Sequence, residues 1–285
     1  MRWMVAGAQG MLGRDLVARA QAAGHEVLAV DRAEMDITDP SQVAEALAGQ
    51  DVVVNCAAWT AVDAAETSEG EAFRVNAVGP ATLARAATAA GARLVQVSTD
   101  YVFDGAAHDP YGADAPIRPR SAYGRTKAAG EWAVRAEGGN HLVVRTAWLY
   151  GAGGPCFPKT VARVLRERGA IDVVDDQVGQ PTWTVDLAAL IVRLVDGGAP
   201  AGTYHGTSGG QVSWYGFACE IARSAGVDPE AVTATTSEAF VRPAPRPAYS
   251  VLGHETVRAA GAEPIGDWLE RWRTAAATVL AEATP

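Results

Sequence analysis

A chain that opens on a short apolar run, Trp3-Met4-Val5-Ala6, and turns at once through Gly7-Ala8-Gln9-Gly10-Met11-Leu12-Gly13 into a helical apolar period has few folds open to it. The run reads as a buried strand, and residues 12–23 read as a helix stopped by Gly24. Glycines at such a turn let the backbone approach a pyrophosphate, while the first turn of the helix offers unpaired N–H groups and the positive end of its dipole. The spacing is GxxGxxG, not the GxGxxG of two-domain dehydrogenases. A second strand, 26–30, ends at Asp31, about 20 residues beyond the loop, where a carboxylate accepts the ribose hydroxyls of a dinucleotide. Asp31 favours NAD; its neighbour Arg32 is placed to take a 2'-phosphate and favours NADP.

The alternation continues with a helix opened by Asp39-Pro40-Ser41, a strand over 51–55, a long helix over 69–90 bent at Gly79-Pro80, a strand over 93–97, a helix over 123–136 and a strand over 141–145. This rhythm predicts an α/β fold, a doubly wound parallel Rossmann sheet over residues 1–150. From Gly151 onward Gly and Pro clusters separate helical stretches at 158–168, 185–195, 213–225 and 268–281, which predicts a smaller, mainly substrate-binding lobe over 151–285. The helix near 185–195 is expected to return to the first domain. Residues 242–247 read as a Pro-rich linker, and Trp268 and Trp272 as an i, i+4 stripe packing the last helix onto the second lobe.

With 285 residues, 48% of them apolar, the chain can bury a full core. The net charge of -9 is spread along the length, which argues against nucleic acid or an anionic membrane as partner. No run reaches the roughly 18 apolar residues of a spanning helix, and the first residues form a strand rather than a signal peptide. Cys56, Cys156 and Cys219 are odd in number and far apart, against a disulfide framework or zinc site, so a reducing, cytoplasmic setting is expected. The five histidines have no metal-ligand spacing, and neither a GxSxG elbow nor a GxxxxGK[ST] loop is present.

Tyr123 and Lys127 lie four apart on one helix and share a face. An ammonium so placed is expected to lower the phenol's pKa from about 10 toward neutrality, making a usable general acid or base. Ser98-Thr99-Asp100 follows the 93–97 strand at its carboxyl end, where ligands of such sheets gather, and a hydroxyl there can hold a carbonyl beside Tyr123. Together with a dinucleotide loop, these groups point to hydride transfer at a carbonyl or alcohol. The carboxylates Asp63 and Glu66, and the pair Asp175-Asp176, read equally well as solvated faces or as general acid/base pairs.

The chain resembles the extended short-chain dehydrogenase/reductases, and among them the dTDP-4-dehydrorhamnose reductases. The likeness rests on Val54-Asn55-Cys56-Ala57-Ala58-Trp59-Thr60-Ala61-Val62-Asp63, Ser98-Thr99-Asp100-Tyr101-Val102-Phe103-Asp104-Gly105 and Tyr123-Gly124-Arg125-Thr126-Lys127. It continues through Arg145-Thr146-Ala147-Trp148-Leu149-Tyr150-Gly151 and Asp176-Gln177-Val178-Gly179-Gln180-Pro181-Thr182, and covers nearly the whole chain. The resemblance implies reduction of the C4 ketone of a dTDP-linked 4-keto-6-deoxy sugar with NADPH, NADH being the alternative. It implies a catalytic set of Thr99, Tyr123 and Lys127. Gly7, Gly10, Met11, Leu12 and Gly13 would lie along the pyrophosphate, Asp31 and Arg32 at the ribose, Asp36 and Ile37 near adenine, and Ala58, Trp59 and Thr60 along the cofactor. Asp100, Tyr101, Trp148, Gln180 and Thr182 would meet the sugar nucleotide, with the Trp148 face against the apolar side of the deoxysugar.

Three other readings stand beside this one. A close variant would reduce another dTDP sugar, as in dihydrostreptose formation, because one methyl or epimer shifts discrimination by only about 1–3 kcal/mol. The regulatory subunit of methionine adenosyltransferase is similar in fold and binds a dinucleotide without needing an intact acid and ribose clamp. An epimerase or dehydratase would want tightly held NAD and an added acid beside the sugar. The presence of Thr99, Tyr123 and Lys127 together favours the reductase. No metal site is expected from spacing, magnesium dependence is left open, and the chain is expected to be a monomer or a homodimer.

Overall fold

The computed structural model describes residues 1–281; the last four residues of the expected second lobe, 282–285, lie outside the described residues. In chain order the first half runs β1 (Arg2–Ala6), α1 (Met11–Ala22), β2 (Glu26–Val30), α2 (Pro40–Leu47), β3 (Val52–Asn55), α3 (Val62–Ala65), α4 (Glu69–Phe73), α5 (Gly79–Ala90), β4 (Arg93–Thr99), α6 (Ala122–Ala136) and β5 (Leu142–Thr146). The second half adds β6 (Leu149–Tyr150), α7 (Phe157–Arg168), β7 (Ile171–Val174), β8 (Val178–Gly179), β9 (Thr182–Trp183), α8 (Thr184–Asp196), β10 (Gly202–His205), β11 (Val212–Ser213), α9 (Trp214–Ser224), β12 (Val232–Thr235), α10 (Glu255–Ala259) and α11 (Trp268–Leu280).

Six parallel strands form the main sheet in the order β2-β1-β3-β4-β5-β10. Side chains alternate across each strand, so both faces must be apolar in such a sheet. Trp3 and Val5 of β1, Val52 and Val54 of β3, and Leu142 and Val144 of β5 pack beneath α1 and α8. Met4, Val53 and Val143 face the other way, onto Val43 and Leu47 of α2 and Leu83, Ala84 and Ala87 of α5. Helix α8, from the second half of the chain, thus buries Leu187, Leu190 and Ile191 in the first core with Leu16 of α1. The strand order reverses between β1 and β3, which opens a crevice at their carboxyl ends.

Between α4 and α5, residues Arg74–Val78 form a π-helical turn. The bend expected at Gly79-Pro80 falls one turn earlier, and Gly79 and Pro80 are the first residues of α5. The reason is that Pro80 has no N–H to give to the carbonyl four residues back, that of Asn76, so the ladder loosens there. A separate core holds the second lobe, where Tyr150, Phe217, Ile221 and Trp272 are fully buried and Trp272 Nε1 donates to Ser224 Oγ at 3.0 Å. Small paired strands β7-β12, β8-β11 and β6-β9 frame it.

Candidate active site

The turn from β1 into α1 leaves room where side chains would fill it. Gly7 has φ +74°, and a Cβ there would lie 2.7 Å from Ala57 N; a Cβ at Gly13 would lie 2.2 Å from Gly7 O. Helix α1 begins after Gly10 with no side-chain cap, so its first N–H groups stay free for a ligand. Just before them, Gly7 and Gly10 of the turn line a cavity of about 610 Å³, together with Asp31, Arg32, Asp36, Ile37, Ala58 and Trp59 among others. An uncapped helix end, side-chain-free turns and a cavity of this size fit a nicotinamide dinucleotide.

Six residues expected along the cofactor do not line that cavity: Met11, Leu12, Gly13, Thr60, Tyr123 and Lys127. Leu12 turns its side chain into the core with Leu16, and Gly13 packs under the loop itself. Met11 reaches the second lobe, its Cγ 3.2 Å from where a Cβ of Gly151 would sit, and Thr60 is exposed. Conversely, the cavity includes Arg74, whose Nη2 lies 3.3 Å from Asp36 Oδ2 and whose Nε donates to Thr38 Oγ1 at 3.2 Å. Nothing local in the sequence marks Arg74, because the fold alone carries α4 and its π turn back to the Asp36 loop. Hydrogen bonds from the Thr38 backbone and hydroxyl hold Asp36 below the ordinary carboxylate range.

At the carboxyl end of β4, Thr99 is 6% exposed; its hydroxyl donates to Asp100 Oδ1 at 2.9 Å and accepts from Tyr101 N at 3.2 Å. Tyr123 stands in the first turn of α6, which Ser121 caps by accepting from Gly124 N. Its ring meets Tyr101 edge-on, with centroids 5.5 Å apart. Burial pushes the Tyr123 phenol well above its ordinary value, Thr99 offsets part of the rise, and the charge of Asp100 adds to it. The expected lowering by Lys127 does not occur in the protein without ligand. Desolvation dominates the phenol, and the ammonium is turned toward β4, donating to Val97 O at 2.7 Å. Lys127 itself is brought down to about 8 by burial, with Glu131 and Cys56 opposing. A protonated phenol is the form that can give a proton to a developing alkoxide.

Glu131 lies one further turn along α6 and is fully buried. It accepts from Ser98 Oγ at 2.6 Å, from Arg145 Nε and Nη2 at 2.8 Å each, and from Arg135 Nη2 at 2.9 Å. Burial works against its charge, but these donors outweigh it and hold Glu131 below its ordinary value. Tyr123, Lys127 and Glu131 therefore form one face of α6, locked at its far end to β4 and β5.

A smaller cavity of about 210 Å³ is lined by Tyr101, Phe103, Asp104, Gly105, Arg120, Ser121 and residues 245–248. Arg120 and Arg246 give it a cationic wall that the sequence reading missed by treating 242–247 as a linker. Arginines interleaved with prolines were the available signal. Asp100 is 2% exposed and leaves Oδ2 without a hydrogen-bond partner; burial brings its carboxyl up to about 6, partly offset by Ser250 and Thr99. Trp148 has φ +48°, stacks on Trp214 at 3.5 Å, and lies over Gly179, where a Cβ would be 2.5 Å from its indole. Gln180 and Thr182 are placed in the interior. Gln180 donates to Leu252 O and accepts from Leu252 N, while Thr182 Oγ1 donates to Gln180 O and accepts from Ser208 N. Their polar groups hold loops together and are not turned to either cavity.

Among the described residues, no group of three or more His, Cys, Asp or Glu could hold a metal, and no helix is long and apolar enough to cross a membrane.

A doubly wound sheet with a dinucleotide turn, and Thr, Tyr and Lys at the carboxyl end of its strands, defines an extended short-chain dehydrogenase/reductase. Residues 1–284 match the family described as RmlD substrate binding domain, and the chain belongs to that family. It is 50% identical over 274 residues to a dTDP-4-dehydrorhamnose reductase of Streptomyces griseus, covering 94% of this chain and 90% of that protein. It is 48% identical to a probable dTDP-4,6-dihydroxy-2-methyloxan-3-one 4-ketoreductase of Streptomyces antibioticus, covering 100% and 98%. Among solved structures, a dTDP-4-dehydrorhamnose reductase of Bacillus anthracis in complex with NADP superposes with a TM-score of 0.93 at 36% identity, covering 96% of this chain and 98% of that one.

Proposed function

We propose that this chain is an NADPH-dependent reductase of the C4 ketone of a dTDP-linked 4-keto-6-deoxy-L-sugar, converting dTDP-4-dehydrorhamnose to dTDP-L-rhamnose. The observation that carries the reading is the position of Thr99, Tyr123 and Lys127 at the end of β4 and the start of α6. Near them, one cavity lined by Cys56, Ala57, Ala58 and Trp59 suits a dinucleotide, and another, lined by Tyr101, Ser121 and the arginines Arg120 and Arg246, suits a nucleoside diphosphate. The names of the relatives support the substrate class.

The first N–H groups of α1 would hold the pyrophosphate, Asp31 and Arg32 the adenosine ribose and its 2'-phosphate, and Trp59 the inner length of the dinucleotide. When bound, the nicotinamide supplies the hydride. The Thr99 hydroxyl, turning its one proton from Asp100 Oδ1 to the substrate, donates the hydrogen bond that orients the ketone oxygen. Tyr123, protonated because it is buried, transfers its proton to that oxygen as negative charge develops on it. Lys127 positions the nicotinamide ribose and returns positive charge beside the phenolate that Tyr123 becomes. Asp100 accepts from a sugar hydroxyl with its unpartnered Oδ2.

The test is loss of NADPH absorbance with dTDP-4-dehydrorhamnose generated in situ, NADH in parallel and Tyr123→Phe as control. Turnover with both nucleotides would place the discrimination at Arg32. A wild-type protein that binds NADPH and dTDP but reduces no 4-keto sugar would overturn the enzymatic reading in favour of a dinucleotide-binding regulatory role. Reduction of the ketone of a different dTDP sugar, with this one untouched, would move the assignment within the class.

A further inference from the structure

Helix α3 is a single turn, too short to stand alone, yet three parts of the site are tied to it. It follows directly on Ala58-Trp59-Thr60, and Trp59 lines the larger cavity. Trp59 is fixed by Asn76, whose side chain accepts from Trp59 N at 2.9 Å, donates to Trp59 O at 3.0 Å and donates to Thr126 Oγ1 on α6. Glu66, just after α3, accepts from Ala122 N at 2.8 Å and so caps the helix that bears Tyr123. Asp63, inside α3, holds the second lobe. Its Oδ1 accepts from Arg246 Nη2 at 2.9 Å and from Ala244 N at 3.2 Å, with Arg242 Nη1 3.9 Å from Oδ2.

Arg246 lines the smaller cavity, on a segment that the buried core of the second lobe does not include. Just before it, Phe240 and Val241 are 50% and 83% exposed. The Arg246 guanidinium is held from two sides, by Asp63 and by the carbonyl of Ala244, to which its Nη1 donates at 3.0 Å; Asp63 is the one of the two that comes from outside its own segment. The pair is partly buried, its side chains 21% and 31% exposed, so it fixes the guanidinium's direction while leaving it able to reach the cavity.

We propose that Asp63 is a positioning residue that couples the two cavities, so that a dinucleotide seated against Trp59, and through it against α3, sets Arg246 for the diphosphate of the sugar nucleotide. The inference rests on the assignment of the two cavities given above. Because coupling is reciprocal, NADPH tightens dTDP and dTDP tightens NADPH by the same factor.

The experiment is titration calorimetry on the full chain, measuring the Kd of dTDP with and without saturating NADPH. Wild type is expected to show tightening of about tenfold. Asp63→Asn keeps the volume and an acceptor for Ala244 N–H but removes the charge that holds Arg246. It should bring the factor close to one while leaving the NADPH Kd within about threefold of wild type. Arg246→Ala should abolish the coupling to the same extent, and the double variant should lose no more than either single one. Asp63→Glu, which restores the carboxylate, should recover part of it. Coupling that persists undiminished in a folded Asp63→Asn variant, or strictly additive losses in the cycle, overturns the proposal. A wild-type protein that binds NADPH but not dTDP overturns the assignment of the cavities instead, and with it the proposal.

Discussion

Lys127→Met should make the ligand-free protein more stable at neutral pH while abolishing its activity. The side chain is 4% exposed, its Nζ donates to Val97 O at 2.7 Å, and burial brings its pKa from 10.5 down to about 8. At about 1.36 kcal/mol per tenfold change, that depression corresponds to about 3 kcal/mol lost by the native state when it keeps the ammonium charged at pH 7. Methionine is similar in volume and unbranched, so it fills the site without a cavity. Losing the bond to Val97 O costs about 1 kcal/mol, which leaves a net gain of about 2 kcal/mol and, for a chain of 285 residues, a rise in Tm of roughly 3 °C. Between pH 8 and 10.5 the native state holds Lys127 neutral while the unfolded chain keeps it protonated. The unfolded state then binds more protons, so wild-type stability relative to the variant climbs with pH, and the advantage of methionine vanishes near about pH 9.5. Thermal unfolding of both proteins without cofactor at neutral and alkaline pH reads this directly. A variant less stable than wild type at pH 7, or a difference that does not change with pH, would refute the reasoning.

Tyr123→Phe should lower kcat by about a hundredfold or more with NADPH affinity unchanged, as checked by steady-state rates beside nucleotide fluorescence titration. Arg32→Ala should weaken NADPH by about tenfold and leave NADH untouched, shown by the two dissociation constants side by side. Asp100, brought up to about 6 by burial, loses its charge as pH falls through that value, so sugar-nucleotide binding should weaken below it and Asp100→Asn should remove the inflection. Gly13→Ala should cost about 1–3 kcal/mol and displace the pyrophosphate turn, because the added Cβ would sit 2.2 Å from Gly7 O; denaturant unfolding and NADPH titration would register both effects.

What was legible in the sequence follows from how local its physics is. Strand β3 could be read because a strand covered on both faces is apolar throughout, as Val52-Val53-Val54 is, whereas β10 is Gly202-Thr203-Tyr204-His205 and becomes a strand only by pairing with β5, 60 residues earlier. Tyr123 and Lys127 could be paired from spacing alone, since four residues on a helix share a face. The direction of the phenol's pKa could not, because it is set by how deeply α3, α4 and Tyr101 bury the ring around Ala65 and Ala72. The polar residues whose surroundings the sequence does not display have partners elsewhere in the chain: Gln180 with Leu252, Asp63 with Arg246, and Glu131, for which no local pattern gives a role, with Arg145. Asp63 and Glu131 make the same point from opposite sides of the site. Each is an acid on a helix whose neighbours the sequence displays, and each holds an arginine that the fold delivers from another part of the chain. A reactive group can be found by its spacing, but the charge that aims it is found only once the chain has closed around it.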